Sequence, residues 1–165
     1  MARNDSIESS SNILSDNDTE RIRKRALKIL GNRNYSEQEM YKKLISKGED
    51  SKISTETVEW LVELGYINDT NYADLIVNHY ITRGYGEARI REELYKRGIP
   101  RDLWDEKLSI IDTTDVEDAA FEFLCKKLKG STDKDDIRRA TDALVRRGYS
   151  YDNAKVSIRK YLEES

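Results

Sequence analysis

Apolar positions along this chain fall at steps of three and four, the spacing of one helical face, and the arrangement itself returns every fifty residues. Leu44-Ile45-Ser46-Lys47-Gly48, Leu94-Tyr95-Lys96-Arg97-Gly98 and Leu144-Val145-Arg146-Arg147-Gly148 each read as the end of a helix. The leucine belongs to the buried stripe, the basic residues suit the negative end of the helix dipole, and the glycine supplies a left-handed cap. Ahead of the first of these, Ile22, Ala26, Ile29 and Leu30 predict a helix opening at Arg21.

The starts of the middle helices repeat as well. Ser36 and Glu39 form an S-x-x-E capping box, with Tyr35 and Met40 placed as a hydrophobic staple. Tyr85 and Ile90 renew the staple around Gly86, and in the third copy Asp136 takes the cap position while Asp135 and Ala140 replace the staple pair. Third helices are expected after each glycine, capped by Ser54 and Ser150 and opened by Pro100. Aligning Ile53, Ile99 and Tyr149 matches Val58 with Trp104 and Ala154, then Val62 with Leu108 and Ile158. That alignment requires a four-residue insertion, Glu49 to Lys52, expected as a surface loop.

The expected fold is all-α, an elongated array of three tandem three-helix repeats at 20–66, 67–112 and 113–165. Residues 1–18, polar apart from Ile7, Ile13 and Leu14, are expected to be a disordered acidic tail. Such an array offers a long face instead of one closed pocket, which points toward binding.

Composition narrows the chemistry. Charged residues are 37% of the chain, and no apolar run approaches the roughly 18 residues that span a bilayer. The polar N-terminus resembles no signal peptide, so no membrane partner is expected and the cytoplasm is the default compartment. Cys125 is the only cysteine and His79 the only histidine, so neither an intrachain disulfide nor a Cys/His zinc site can form. Cys125 is expected to be a buried small apolar residue, and Tyr35, Tyr66, Tyr72, Tyr85, Trp60 and Trp104 are expected to pack in the core. No catalytic, cofactor or metal residue is predicted. The pairs Glu92-Glu93 and Asp135-Asp136 are adjacent, hence about 100° apart on a helix, and do not converge on a substrate.

The net charge of −3 hides a pattern. Residues 1–20 carry −4, and the body then alternates: +7 over 21–48, −6 over 49–82, +3 over 83–101, −6 over 102–136 and +3 over 137–165. Arg83, Arg89, Arg91, Lys96, Arg97 and Arg101 gather around the second helix of the central repeat, and Arg138, Arg139, Arg146 and Arg147 take the matching place in the third. Arginine suits bidentate pairing with phosphate or carboxylate, so DNA and an acidic protein surface both qualify as targets. The same cations also fit a plainer role as the solvated faces of charged helices. A body near neutrality predicts weak binding to naked single-stranded or duplex DNA, with affinity drawn mainly from protein contacts.

The stretch Gly65-Tyr66-Ile67-Asn68-Asp69-Thr70-Asn71-Tyr72-Ala73, with Arg83-Gly84-Tyr85-Gly86 through Ile90, Glu93-Leu94 and Arg97-Gly98-Ile99, resembles the central motif of the RecX family. The resemblance covers about residues 20–165. It implies a curved body of repeated three-helix units and a bacterial regulator that binds the RecA recombinase filament on single-stranded DNA. Such a regulator limits ATP hydrolysis, assembly and strand exchange in DNA repair, recombination and the SOS response and is not an enzyme; this chain is expected to be a monomer. A helix-turn-helix DNA reader, with Arg89 and Arg91 in a major groove, and a general helical scaffold are the alternatives.

Overall fold

The computed structural model describes the backbone from Asp5 and the side chains from Asp16 to the C-terminus, apart from residues 110 and 112. Among the described residues there are nine α-helices and no strand: α1 Asp5–Leu30, α2 Glu37–Ser46, α3 Ser51–Glu63, α4 Asp69–Thr82, α5 Glu87–Lys96, α6 Arg101–Ser109, α7 Thr113–Leu128, α8 Lys134–Arg146 and α9 Tyr151–Glu164. The segment 1–18 expected as a tail lies largely outside the residues whose side chains are described. The chain divides into two units between Tyr72 and Ala73, within α4.

Local chemistry sets most helix ends. Ser36 Oγ accepts the Glu39 N–H at 3.0 Å, and the Ser36 N–H donates to Glu39 Oε2 at 3.1 Å, the reciprocal capping box of α2. Ser150 Oγ caps α9 by accepting the Asn153 N–H at 3.1 Å. Helices α2, α5 and α8 stop alike. Gly48, Gly98 and Gly148 take φ of +82°, +68° and +99°. The N–H that follows each glycine returns to a leucine carbonyl: Glu49 to Leu44 at 3.2 Å, Ile99 to Leu94 at 3.1 Å and Tyr149 to Leu144 at 3.2 Å.

Two helices begin a turn earlier than expected. Asp50, not Ser54, caps α3: its Oδ1 accepts the Ile53 N–H at 2.9 Å, and Ser54 is buried inside the helix. Glu49 to Lys52 is therefore no surface loop, and the fifty-residue register runs unbroken. Glu49, Ile99 and Tyr149 are equivalent and all buried, as are Ser54, Trp104 and Ala154, then Val58, Leu108 and Ile158, whereas Val62 lies on the exposed side. The register is obscured in the sequence because a carboxylate occupies an apolar position. It is tolerated there because Arg21 Nη2 meets Glu49 Oε2 at 2.9 Å and Arg25 contacts Oε1. Similarly Asp133, not Asp136, caps α8 by accepting the N–H groups of both Asp135 and Asp136, while the Asp136 carboxylate accepts the Ser131 hydroxyl at 2.7 Å.

In the first unit α1, α2 and α3 pack on one another around Ile22, Ala26, Met40, Leu44, Val58, Leu61 and Ile67. In the second, α7, α8 and α9 do the same around Leu124, Ala140, Leu144, Tyr149, Ile158 and Tyr161. Each fully buried leucine contributes about 1.5–3 kcal/mol relative to exposure. Helix α5 packs on α6, and Lys107 Nζ reaches Asp74 at 2.9 Å to tie α6 to α4. Trp104 is buried; Trp60, beneath the Arg23 guanidinium, is half-buried, and so are Tyr35, Tyr72 and Tyr85 at their own places. Tyr66 and Cys125 depart from expectation, since both are exposed. After Gly65 it is Ile67 that enters the core, and on α7 Leu124 faces inward, leaving Cys125 about 100° away.

Among the described residues no helix is long and apolar enough to cross a membrane, and no group of three His, Cys, Asp or Glu side chains is placed to hold a metal ion.

Candidate functional site

The second unit is built around a joint between two turns of similar sequence. Residues 83–86, which follow α4, lie against residues 147–149, which follow α8. The Gly86 N–H donates to the Arg147 carbonyl at 2.9 Å and the Ala88 N–H to the Gly148 carbonyl at 3.1 Å. Tyr149 Oη donates to the Gly84 carbonyl at 2.9 Å, and Arg147 Nη2 to the Arg83 carbonyl at 3.3 Å. The Arg147 guanidinium sits 4.6 Å from the ring centres of both Tyr85 and Phe123, a double cation–π contact. Burial pushes the Tyr149 hydroxyl up to about 12, so it is a neutral donor throughout the physiological range.

Two glycines make this approach possible. A β-carbon on Gly86 would lie 2.3 Å from the Gly148 carbonyl carbon, and one on Gly148 would lie 2.5 Å from the Arg89 nitrogen. Gly86 thus stands where the first unit has the capping Ser36, because here a backbone crosses.

Helix α5 carries the densest charge. Arg89 pairs with Glu92 at 2.9 Å and Glu93 at 3.0 Å, and Lys96 meets Glu92 at 2.9 Å. Glu93 is buried and hydrogen-bonded to Tyr80, whose hydroxyl is pushed up by burial and then by that carboxylate. Arg91 pairs with Glu87 at 2.8 Å and reaches Asp105 of α6 at 3.5 Å. On α8, Arg138 meets Asp135 at 3.4 Å and Arg139 meets Asp136 at 4.0 Å. Arg97 is half-buried and has contacts of its own. Arg83, Arg101 and Arg146 are exposed and make no ion pair with a described residue, although Arg101 lies 5.8 Å from the Trp104 ring centre. Of the ten cations singled out by sequence, the structure therefore binds Arg147 into the joint, engages Arg89, Arg91, Lys96, Arg138 and Arg139 with neighbouring carboxylates, half-buries Arg97, and leaves Arg83, Arg101 and Arg146 exposed without a charged partner among the described residues.

An open cleft of about 560 Å³ lies beside the joint, floored by Ile90, Leu108, Val116 and Tyr149 and edged by Arg91 and Glu117. The first unit holds a different feature that the sequence reading passed over. A cleft of about 420 Å³ between α1 and α2 is lined by Arg25, Lys28, Lys43 and Lys47, with Asn32 and Tyr35. The signal was present as the charge of +7 over 21–48. Only the packing of α1 on α2 puts those cations on facing sides.

The motif residues Asn68 and Asp69 also have structural work. Asn68 Oδ1 accepts the Asn71 N–H at 3.0 Å at the start of α4. Asp69 Oδ1 accepts the Glu37 N–H at 3.0 Å, tying that start to α2. Burial pushes the Asp69 carboxyl above its ordinary range despite this bond.

Comparison with known proteins agrees with this architecture. Residues 23–61 match the family description "RecX, first three-helix domain", and residues 68–108 match "RecX, second three-helix domain". The regulatory protein RecX of Deinococcus radiodurans is 33% identical over 139 residues, covering 84% of this chain and 67% of that protein. That of Vibrio cholerae is 29% identical over 138 residues, covering 82% and 90%. The crystal structure of RecX from Lactobacillus salivarius superposes with a TM-score of 0.80 at 22% identity, covering 88% of this chain and 97% of that one. The chain belongs to the RecX family of regulatory proteins.

Proposed function

We propose that this chain regulates the RecA recombinase by binding its filament on single-stranded DNA in the bacterial cytoplasm, restraining filament assembly, ATP hydrolysis and strand exchange during repair and recombination. The observation that carries this reading is the match of residues 23–61 and 68–108 to consecutive RecX domains. The nine helices are read as three tandem repeats, 20–66, 67–112 and 113–165, and the unbroken fifty-residue register of buried positions supports that division. Contact with the recombinase is assigned to the cations of α5, α6 and α8 and the turn before α5. Arg83, Arg101 and Arg146 are available as they stand, whereas Arg89, Arg91, Lys96, Arg138 and Arg139 would exchange a neighbouring carboxylate for one on the partner. Exchange of this kind favours selectivity over raw affinity.

Helix α5 is poorly suited to reading a major groove, because Glu87, Glu92 and Glu93, which neutralise Arg89 and Arg91 on the same helix, would be brought against a polyanion. The test is co-sedimentation of the chain with RecA filaments assembled on single-stranded DNA. Retention of the chain in the filament pellet is expected, and its absence there over a range of concentrations would overturn the reading.

A further inference from the structure

From the cleft between α1 and α2 we infer a site for the backbone phosphates of a nucleic-acid strand on the first unit. The inference rests on the reading that the chain works on a nucleoprotein filament, and it assigns the nucleic-acid contact to a part of the molecule separate from the α5 and α8 arginines.

Four cations line the cleft and no carboxylate does. Lys28, Lys43 and Lys47 are exposed and make no ion pair with a described residue, while Arg25 reaches Glu49 at the edge. This is the opposite of α5, where nearly every cation is answered by an acid one helical turn away. Lys43, in the last turn of α2, and Lys47, the C-cap of that helix, stand four residues apart, a spacing that brings β-carbons to about 6 Å on a helix. Lys28, in the last turn of α1, and Asn32, in the turn that follows that helix, line the facing side. Like charges gathered across a cleft repel, and a polyanion threading between them removes that repulsion while releasing its own counterions.

Phosphate is favoured over an acidic peptide by the donor set. Ammonium groups act as compact point charges that accept any approach direction, whereas planar bidentate recognition of carboxylates calls for arginine, and the one arginine here is already engaged by Glu49. Asn32 and Tyr35 add neutral donors at the rim, suited to phosphate or sugar oxygens.

The experiment measures binding of the full chain to a fluorescent oligothymidylate by anisotropy, as salt is raised from about 50 to about 200 mM. The triple variant K28Q/K43Q/K47Q is expected to lower the slope of log affinity against log salt by about 2, at roughly 0.7 per phosphate contact. Over that salt range the wild type should lose roughly twenty-fold more affinity than the variant. K24Q, which removes a cation of the same unit that pairs with Glu20 outside the cleft, should keep the wild-type slope. An unchanged slope in a triple variant of normal helicity overturns the site, as does a wild type that fails to bind at about 50 mM salt. Equal displacement by polyglutamate of matched charge overturns the assignment to nucleic acid. RecA inhibition retained alongside an unchanged slope would discard the site and leave the wider reading standing, whereas loss of RecA inhibition in the wild type would reject that reading itself.

Discussion

Gly86 and Gly148 meet backbone to backbone, so closely that a methyl group on Gly86 would stand 2.3 Å from the carbonyl carbon of Gly148. No rotamer change relieves that clash, because both partners are main chain. Gly86→Ala is expected to cost about 2–3 kcal/mol by forcing the turns apart, measured by urea denaturation. Gly48→Ala is the control. It has a left-handed φ of +82° but open space around it, and should cost about 1 kcal/mol. Equal losses at both positions would show that the joint is not as close as described.

Tyr149 fastens the same joint. Removing its hydroxyl in Tyr149→Phe leaves the Gly84 carbonyl without this donor, and should cost about 1 kcal/mol near neutral pH. The contribution falls in alkali. The folded hydroxyl is pushed up to about 12 by burial, so from about pH 10 the unfolded tyrosine ionises while the folded one stays neutral. The contribution is thus whole below pH 10 and declines as pH climbs through the folded value. Stability curves of the two proteins should converge across that window, and parallel curves would contradict the burial argument.

Glu49 tests the register. It takes the place of Ile99 and Tyr149, neutralised by Arg21 and Arg25, and the Arg21 hydrogen bond outweighs burial to hold its carboxyl below the ordinary range. Its stabilisation is present above the usual glutamate range and is lost as pH falls through the depressed value. Glu49→Gln should cost about 1–3 kcal/mol at neutral pH and flatten the acid limb. Glu49→Ile, which places there the apolar residue found at the equivalent position 99 while both arginines remain half in water, should be neutral or stabilising by thermal denaturation. Severe destabilisation by isoleucine would show that the position is not an apolar one.

Most of the fold was legible because its signals are local. The S-x-x-E box at Ser36, the cap at Ser150 and the glycines at 48, 98 and 148 each act within a few residues, and each acts as read. What was misread depends on partners distant in the chain. Glu49 looked like loop because its charge is answered by Arg21 and Arg25, 28 and 24 residues earlier. Ser54 then took the cap that belongs to Asp50, and Asp136 the one that belongs to Asp133. The site was less legible than the fold. Sequence located the cations but not their partners, so Arg147 looked like its neighbour Arg146, although one is bound into the joint and the other points to solvent.

That distinction gives a test of the proposed recombinase contact. Replacing Arg83, Arg101 and Arg146 together by glutamine removes three exposed cations without breaking an ion pair among the described residues, so helicity and melting temperature should hold while inhibition of RecA weakens by roughly ten-fold or more, at about 0.5 kcal/mol or more per lost contact. Arg147→Gln should lower stability as well, because it opens the joint. A triple variant as potent as the wild type would remove these cations from the contact.

The most direct measurement of the central claim is RecA-driven, DNA-dependent ATP hydrolysis titrated with the purified chain. A fall in hydrolysis that saturates with increasing chain is the result the account predicts. Hydrolysis unchanged at every ratio, with the chain shown to be folded, would contradict it.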